Sequence, residues 1–153
     1  MSDRRPLPTW YFAMVVVRHG DRFALVREKK HGQLWYFPAG RVEPGETLTE
    51  AAVRETKEEA GIDVALTGLL RVEHSPQPGG SVRCRVFFVA EPKGDARLKS
   101  EPDEHSLEAR WVTIEELDAL PLRGEEVLDC FRAVRDGAPV APLSMLTDEG
   151  APW

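Results

Sequence analysis

The sequence is short of several features that mark large classes of protein. Only two of its 153 residues are cysteine, Cys84 and Cys130, one in a strand-like run and one in a helix-like run. They lie in no CxxC or Cys/His spacing, which argues against a disulfide framework, a zinc site or a redox pair and leads us to expect a reducing, cytoplasmic setting. Long apolar runs are missing too. The longest, Tyr11 to Val17, covers seven residues, whereas a bilayer-spanning helix needs about 20. The opening MSDRRPLPTW has no apolar signal segment, so neither membrane insertion nor secretion is expected. Positive charge is also scarce: 20 Lys and Arg stand against 26 Asp and Glu, for a net charge of −6. A long nucleic acid is therefore excluded as the main partner, because tight binding of a polyanion draws on a basic patch that this chain does not concentrate anywhere. If the protein handles phosphates, something other than its overall charge has to neutralise them.

What remains is an ordinary globular composition, 42% hydrophobic and 30% charged with 12 Gly and 12 Pro. A chain of this length buries roughly 70% of its unfolded surface, enough for one domain with its own core. No repeat, low-complexity tract or interdomain linker interrupts it. Residues 1–9 read as a flexible N-terminal arm, 10–137 as the domain, and the Pro-rich residues 138–153 as an irregular tail. Arms of this kind sometimes pair across a dimer, so a homodimer stays open.

Local signals give an order of elements. Tyr11 to Val17 and Phe23 to Arg27 form a hairpin about His19-Gly20-Asp21, and Trp35 to Phe37 is a short extended piece ended by Pro38. A Gly-rich loop follows, running through Gly45. Thr47-x-x-Glu50 then makes a capping box, and Gly61 stands where a left-handed residue ends a helix, so a helix is predicted over Leu48 to Ala60. Val64 to Glu73 and Ser81 to Ala90 alternate as strands around PQPGG, and Ala109 to Val112 is a later strand. Thr113-x-x-Glu116 caps a short helix. Glu125 to Arg135 places Val127, Leu128, Phe131 and Val134 at helical spacing as a core stripe.

Chemistry concentrates in the first helix. Glu55, Glu58 and Glu59 fall at i, i+3 and i+4, so their carboxylates leave one arc of the helix. Three anions on one face need either full solvation or a hard divalent cation, and clustered carboxylate oxygens are the ligands that Mg²⁺, Mn²⁺ or Ca²⁺ prefers. Arg54, four residues from both Glu50 and Glu58, can bridge the carboxylates and hold them in position.

The string from Gly40 to Gly61 reads G-x5-E-x7-R-E-x-x-E-E-x-G. Seven fixed residues at ordinary frequencies arise by chance about once in a million chains of this length. The string resembles the signature of the Nudix hydrolases, a MutT-like family that cleaves nucleoside diphosphates linked to another group. The likeness extends to the order of elements over about residues 10 to 135. It implies an α/β fold, the Nudix α/β/α sandwich with a mixed β-sheet. It implies Glu55, Glu58 and Glu59 as metal ligands together with the backbone carbonyl of Ala39, and Mg²⁺ as cofactor with Mn²⁺ able to substitute. Arg54 and Glu46 match catalytic positions of the box. Glu59 is the first choice for the group that touches the attacking water directly or through metal, and Glu104, in the loop Ser100 to Trp111, is the loop candidate for general base. Thr56 replaces a usual bulky aliphatic residue and Ala39 a usual glycine, departures that concern packing and loop shape and remove no charge.

A metal held by glutamates explains how an acidic chain can take an anionic substrate. Tyr11, Trp35 and Phe37 are candidates to stack on a nucleobase. Arg27 and Lys29 are candidates for a terminal phosphate, and Arg83 and Arg85 share one sheet face at the pocket mouth. His74 and His105 are not at ligand spacing and read as surface residues. Further stretches, among them VFFVAEPKG, the DEHSLEARW loop and LPLRGEEVLD, are similar to the branch that acts on oxidised guanine nucleoside diphosphates and to a bacterial branch acting on thiamin-type pyrophosphates and nucleotides. The expectation is Mg²⁺-dependent cleavage of a phosphoanhydride bond in a nucleoside di- or triphosphate, an oxidised guanine nucleotide among the candidates. The alternatives are an ADP-ribose or other sugar-nucleotide pyrophosphatase and a non-catalytic nucleotide-sensing domain.

Overall fold

A computed structural model of the chain describes residues 4–153, so the first three residues of the expected arm lie outside the described residues. The elements are β1 (Thr9–His19), β2 (Arg22–Glu28), β3 (Trp35–Tyr36), β4 (Ala39–Arg41), α1 (Leu48–Ala60), β5 (Val64–Pro76), β6 (Val82–Pro92), β7 (Ser106–Val112) and α2 (Glu126–Arg135). The sheet runs β3-β2-β1-β6-β5, with β4 paired to β1 and β7 to β2. The pairing of β1 with β6 is parallel and the other strand pairings are antiparallel, so the sheet is mixed.

The apolar run in β1 is continuous because both of its faces are covered. Ala13, Val15 and Val17 join the core that holds Ala51, Ala52 and Ala60 of α1. Met14 and Val16 join the core that holds Val127 and Phe131 of α2. The sheet thus lies between two helices, the α/β/α sandwich expected. Phe131 stacks on Phe23 with ring centroids 4.4 Å apart, and burying a side chain of this size stabilises the fold by about 2–3 kcal/mol. At the hairpin, Gly20 takes a φ of 65°, the positive value a two-residue turn needs at its first central position. Among the described residues no helix is long and apolar enough to cross a membrane.

Both ends depart from the sequence reading. Thr9, assigned to the arm, already pairs with Val82, and the Val82 amide donates to Pro8 O at 2.8 Å. The tail is irregular yet anchored. Leu69 and Ala141 exchange two backbone hydrogen bonds of 2.8 Å, and Leu143 and Leu146 pack on the α1 side of the core. Gly68 makes this approach possible, since a Cβ there would fall 2.3 Å from Val140 Cγ1. The expected short helix after Thr113 is a 3-10 helix, Glu115–Ala119, with Glu116 Oε2 accepting the Thr113 amide at 2.7 Å and Thr113 Oγ1 the Glu116 amide at 3.4 Å.

The stretch after Pro38, read as a loop, contains β4. Its partners on β1 are Phe12, Ala13 and Met14, contacts too distant in sequence for local signals to indicate. This short ladder fixes Ala39 and Gly40 beside α1.

Candidate active site

Helix α1 begins and ends where its caps predict. Thr47 Oγ1 accepts the Glu50 amide at 3.2 Å, Glu50 Oε2 accepts the Thr47 amide at 2.8 Å, and Gly61 closes the helix at φ 80°. Its inner face is small, with Ala51, Ala52, Thr56 and Ala60 all buried, which lets it lie close on the sheet. Thr56 is accommodated because its hydroxyl donates to Ala52 O at 2.8 Å, so the missing aliphatic residue leaves no unpaired polar atom.

The outer arc carries the glutamates, organised around Arg54. The guanidinium grips Glu46 with two bonds, Nε to Oε1 at 2.6 Å and Nη2 to Oε2 at 3.0 Å. Its Nη1 donates to Glu55 Oε1 at 2.8 Å and Glu58 Oε2 at 3.2 Å, and Nη2 also reaches Arg41 O at 3.1 Å. Glu50, expected as a partner of Arg54, is engaged in the helix cap. Paired in this way, Glu46 is held below the usual carboxylate range by its bonds to Arg54. Burial raises Glu55 against the opposing pull of Arg54. Glu55 also explains the bare Gly40: a Cβ there would lie 1.9 Å from Glu55 Cδ. Gly40→Ala is therefore expected to push the Glu55 carboxylate aside, costing about 1–3 kcal/mol in urea unfolding and at least about tenfold in steady-state turnover.

Glu59 points inward. Its Oε2 accepts the Ala39 amide at 3.0 Å. Burial, with smaller contributions from the charges of Glu55 and Glu28, pushes its carboxyl up to about 8 against the opposing Ala39 bond. An acid whose pKa is higher folded than unfolded holds a proton that the unfolded chain has released. Stability is thus lost as pH rises from about 4.5 toward 8. In the absence of divalent ions the melting temperature is expected to fall by several degrees between pH 5.5 and 8.5. A saturating divalent cation, which keeps the carboxylate ionised, is expected to flatten that slope in differential scanning calorimetry.

Among the described residues no three Asp, Glu, His or Cys side chains stand together closely enough to hold a metal ion; Arg54 draws Glu55 and Glu58 to one side while Ala39 holds Glu59 on the other. The donor chemistry nevertheless fits a hard divalent cation. Three carboxylates share one arc, and the inner one is placed where its negative charge is unfavourable unless a positive charge joins it.

A cavity of about 380 Å³ opens beside Glu59, Ala39 and Gly40. Phe12, Met14 and Tyr36 give it apolar and aromatic walls, and Lys29, Lys30, Arg83 and Arg123 supply positive charge. Arg83 lies 4.9 Å from the centroid of the Phe12 ring. Glu104 lies on the cavity lining with a side chain 86% exposed.

Several expected residues lie elsewhere. Trp35 and Phe37 are buried in the α2-side core; Tyr36 belongs to the same core and is the one of the three that also lines the cavity. Tyr11 faces the opposite side of β1 from Phe12 and borders surface near Leu146 and Glu46. Arg27 is turned away, its Nε reaching Gln33 O. Arg85 is committed to Glu73 and Glu126, bonding Glu126 at 3.1 and 2.9 Å. His105 is exposed, in line with the surface reading, and it borders the acid arc, its Nδ1 3.7 Å from Glu58 Oε2 and its Nε2 3.3 Å from Glu104 Oε1. The loop holding it is tied down by Asp103, which accepts the amides of His105 and Ser106 at 2.8 and 3.1 Å. Ser106 Oγ in turn donates to Glu59 O at 2.6 Å. Strand alternation could have separated Phe12 from Tyr11, but which face opens on the cavity depends on elements distant in sequence. The roles of Arg123, Glu28 and His105 arise from contacts distant in sequence.

Many known proteins are similar to this chain in sequence or in fold. The chain is 39% identical over 117 residues to human 8-oxo-dGDP phosphatase NUDT18, a match covering 74% of this chain and 35% of that protein. This chain thus spans about a third of that relative's length. It is 33% identical over 141 residues to phosphatase NudJ of Escherichia coli O1:K1, covering 90% of each. A NUDIX hydrolase from Nitrosomonas europaea superposes with a TM-score of 0.76 at 25% identity, covering 94% of this chain and 99% of that one. The model of the NUDIX domain matches residues 8–133, and the chain belongs to that family.

Proposed function

We propose that this protein hydrolyses a phosphoanhydride bond of a small nucleoside diphosphate or triphosphate with Mg²⁺ as cofactor, an oxidised guanine diphosphate being the first candidate substrate. The observation that carries this reading is the inner glutamate, Glu59, at one end of a cavity whose rim bears Lys29, Lys30, Arg83 and Arg123. Anionic phosphates suit the cationic rim, and the acid arc suits a divalent cation, whose charge favours the ionised form of its carboxylates. The names of NUDT18 and NudJ support a nucleotide phosphatase.

In this reading Glu55, Glu58 and Glu59, with the carbonyl of Ala39, would hold Mg²⁺. When bound, the ion supplies charge neutralisation at the phosphate oxygens and lowers the pKa of water. Arg54 and Glu46 keep the carboxylates in place, and Gly40 leaves room for Glu55. Glu104 is the proton acceptor for the attacking water, carried into reach by the loop that Asp103 and Ser106 pin to α1. The aromatic walls receive the base and the lysines the outer phosphate.

A screen for released phosphate and pyrophosphate across nucleoside di- and triphosphates, oxidised guanine nucleotides, ADP-ribose and thiamin pyrophosphate, each with Mg²⁺ and Mn²⁺, tests the proposal. Turnover of a nucleoside diphosphate with Mg²⁺ is expected. Turnover confined to ADP-ribose, or none at all, overturns it.

A further inference from the structure

Glu28, the last residue of β2, lines the same cavity and belongs to none of the groups above. Its Oε1 accepts Arg123 Nη1 at 2.8 Å. Its Oε2 is closed off from solvent, and no described residue donates to it. Buried acceptors are rarely left unpaired, and leaving one so costs about 1–3 kcal/mol. The terminal torsion of a glutamate is soft, so the carboxylate can turn its free oxygen to the cavity while Arg123 holds the side chain.

Its surroundings identify the donor it suits. Glu59 lines the same cavity, close enough for the charge of Glu28 to help raise that carboxyl. Arg123, which Glu28 bonds, covers the Tyr36 ring at 4.9 Å from its centroid, and Phe12 adds a second ring to the lining. A nucleoside diphosphate lying with its phosphates at the acid arc and its base on the aromatic walls brings its sugar beside Glu28. A sugar hydroxyl is a neutral donor there, whereas a phosphate in that place would be repelled.

We propose that Glu28 is a specificity-determining residue whose free carboxylate oxygen accepts a hydrogen bond from a sugar hydroxyl of the nucleotide substrate; this rests on the hydrolase reading above. Sites built to bond a substrate hydroxyl discriminate strongly against analogues that lack it. The test compares kcat/KM of wild type and Glu28→Ala on guanosine, 2′-deoxyguanosine and 2′,3′-dideoxyguanosine diphosphates with Mg²⁺. Wild type is expected to lose at least about tenfold on removal of the bonded hydroxyl, and Glu28→Ala to treat the sugars alike. Glu28→Gln keeps the side-chain shape and covers the case in which the alanine variant fails to fold; its ratio is expected to narrow. A ratio preserved in the variants, at whatever absolute rate, overturns the proposal. Equal turnover of the three sugars by wild type overturns it while leaving the hydrolase reading intact. Where only oxidised guanine diphosphates are turned over, the same comparison is made on their ribo, deoxy and dideoxy forms; absence of turnover on every nucleoside diphosphate, with another pyrophosphate cleaved, ends both.

Discussion

Glu59→Gln is expected to lower nucleoside diphosphate turnover by about a thousandfold while raising the stability of the protein at pH 8. Both effects come from one feature, a carboxylate held where its charge is unfavourable without a cation. Turnover falls because a neutral amide is a poor ligand for a hard cation, and loss of a single preorganised group at a developing charge typically costs about 10²–10³. Stability rises because the carboxylate, with its pKa pushed up to about 8 by burial and the neighbouring charges of Glu55 and Glu28, is replaced by a group that carries no charge. The amide oxygen can still accept the Ala39 amide, which lies at 3.0 Å in the wild type. The variant's melting temperature without divalent ions is expected to exceed that of wild type by several degrees at pH 8 and to match it near pH 5. Fluorescence-monitored melts at the two pH values, together with rates, separate this account from a purely structural role, in which both quantities would fall together.

Arg54→Met carries the second large effect, of the opposite kind. Glu46 and Glu55, with side chains only 14% and 13% exposed, owe their pairing to this guanidinium. Removing it leaves carboxylates with little water and no countercharge, at an expected cost of about 3 kcal/mol in urea unfolding. Turnover is expected to fall about 10–100-fold, the usual penalty when a group that orients metal ligands is lost. Arg54→Lys keeps the charge but cannot span Glu46, Glu55 and Glu58 at once, so it should recover less than half of the lost stability. A divalent cation should stabilise the methionine variant more than wild type, since it replaces part of the missing positive charge.

The parts of the molecule that were readable from sequence are those that local chemistry specifies. The limits of α1 follow from Thr47, Glu50 and Gly61, and the acid arc follows from helical spacing. The box string carried the family. What could not be read depends on which face of a strand another element covers. Trp35, Tyr36 and Phe37 all enter the core that α2 completes, and Tyr36 alone of them also lines the cavity. Arg85 looks free until Glu126, 41 residues away, takes it up. His105 has no spacing signal because its partner Glu58 lies across the fold on α1. The scarcity of positive charge over the whole chain gave no sign that Lys29, Lys30, Arg83 and Arg123 gather at one cavity from segments far apart in sequence; the proposed logic of the site is that the acid arc beside them takes one more cation.

The most direct test of that logic is a titration of Mg²⁺ into protein stripped with a chelator, following phosphate release from a guanine nucleoside diphosphate. The account requires no turnover before addition, a saturable rise with Mg²⁺, and loss of that rise in Glu59→Gln. Undiminished hydrolysis in the presence of excess chelator, or a full response to Mg²⁺ in the variant, would contradict it.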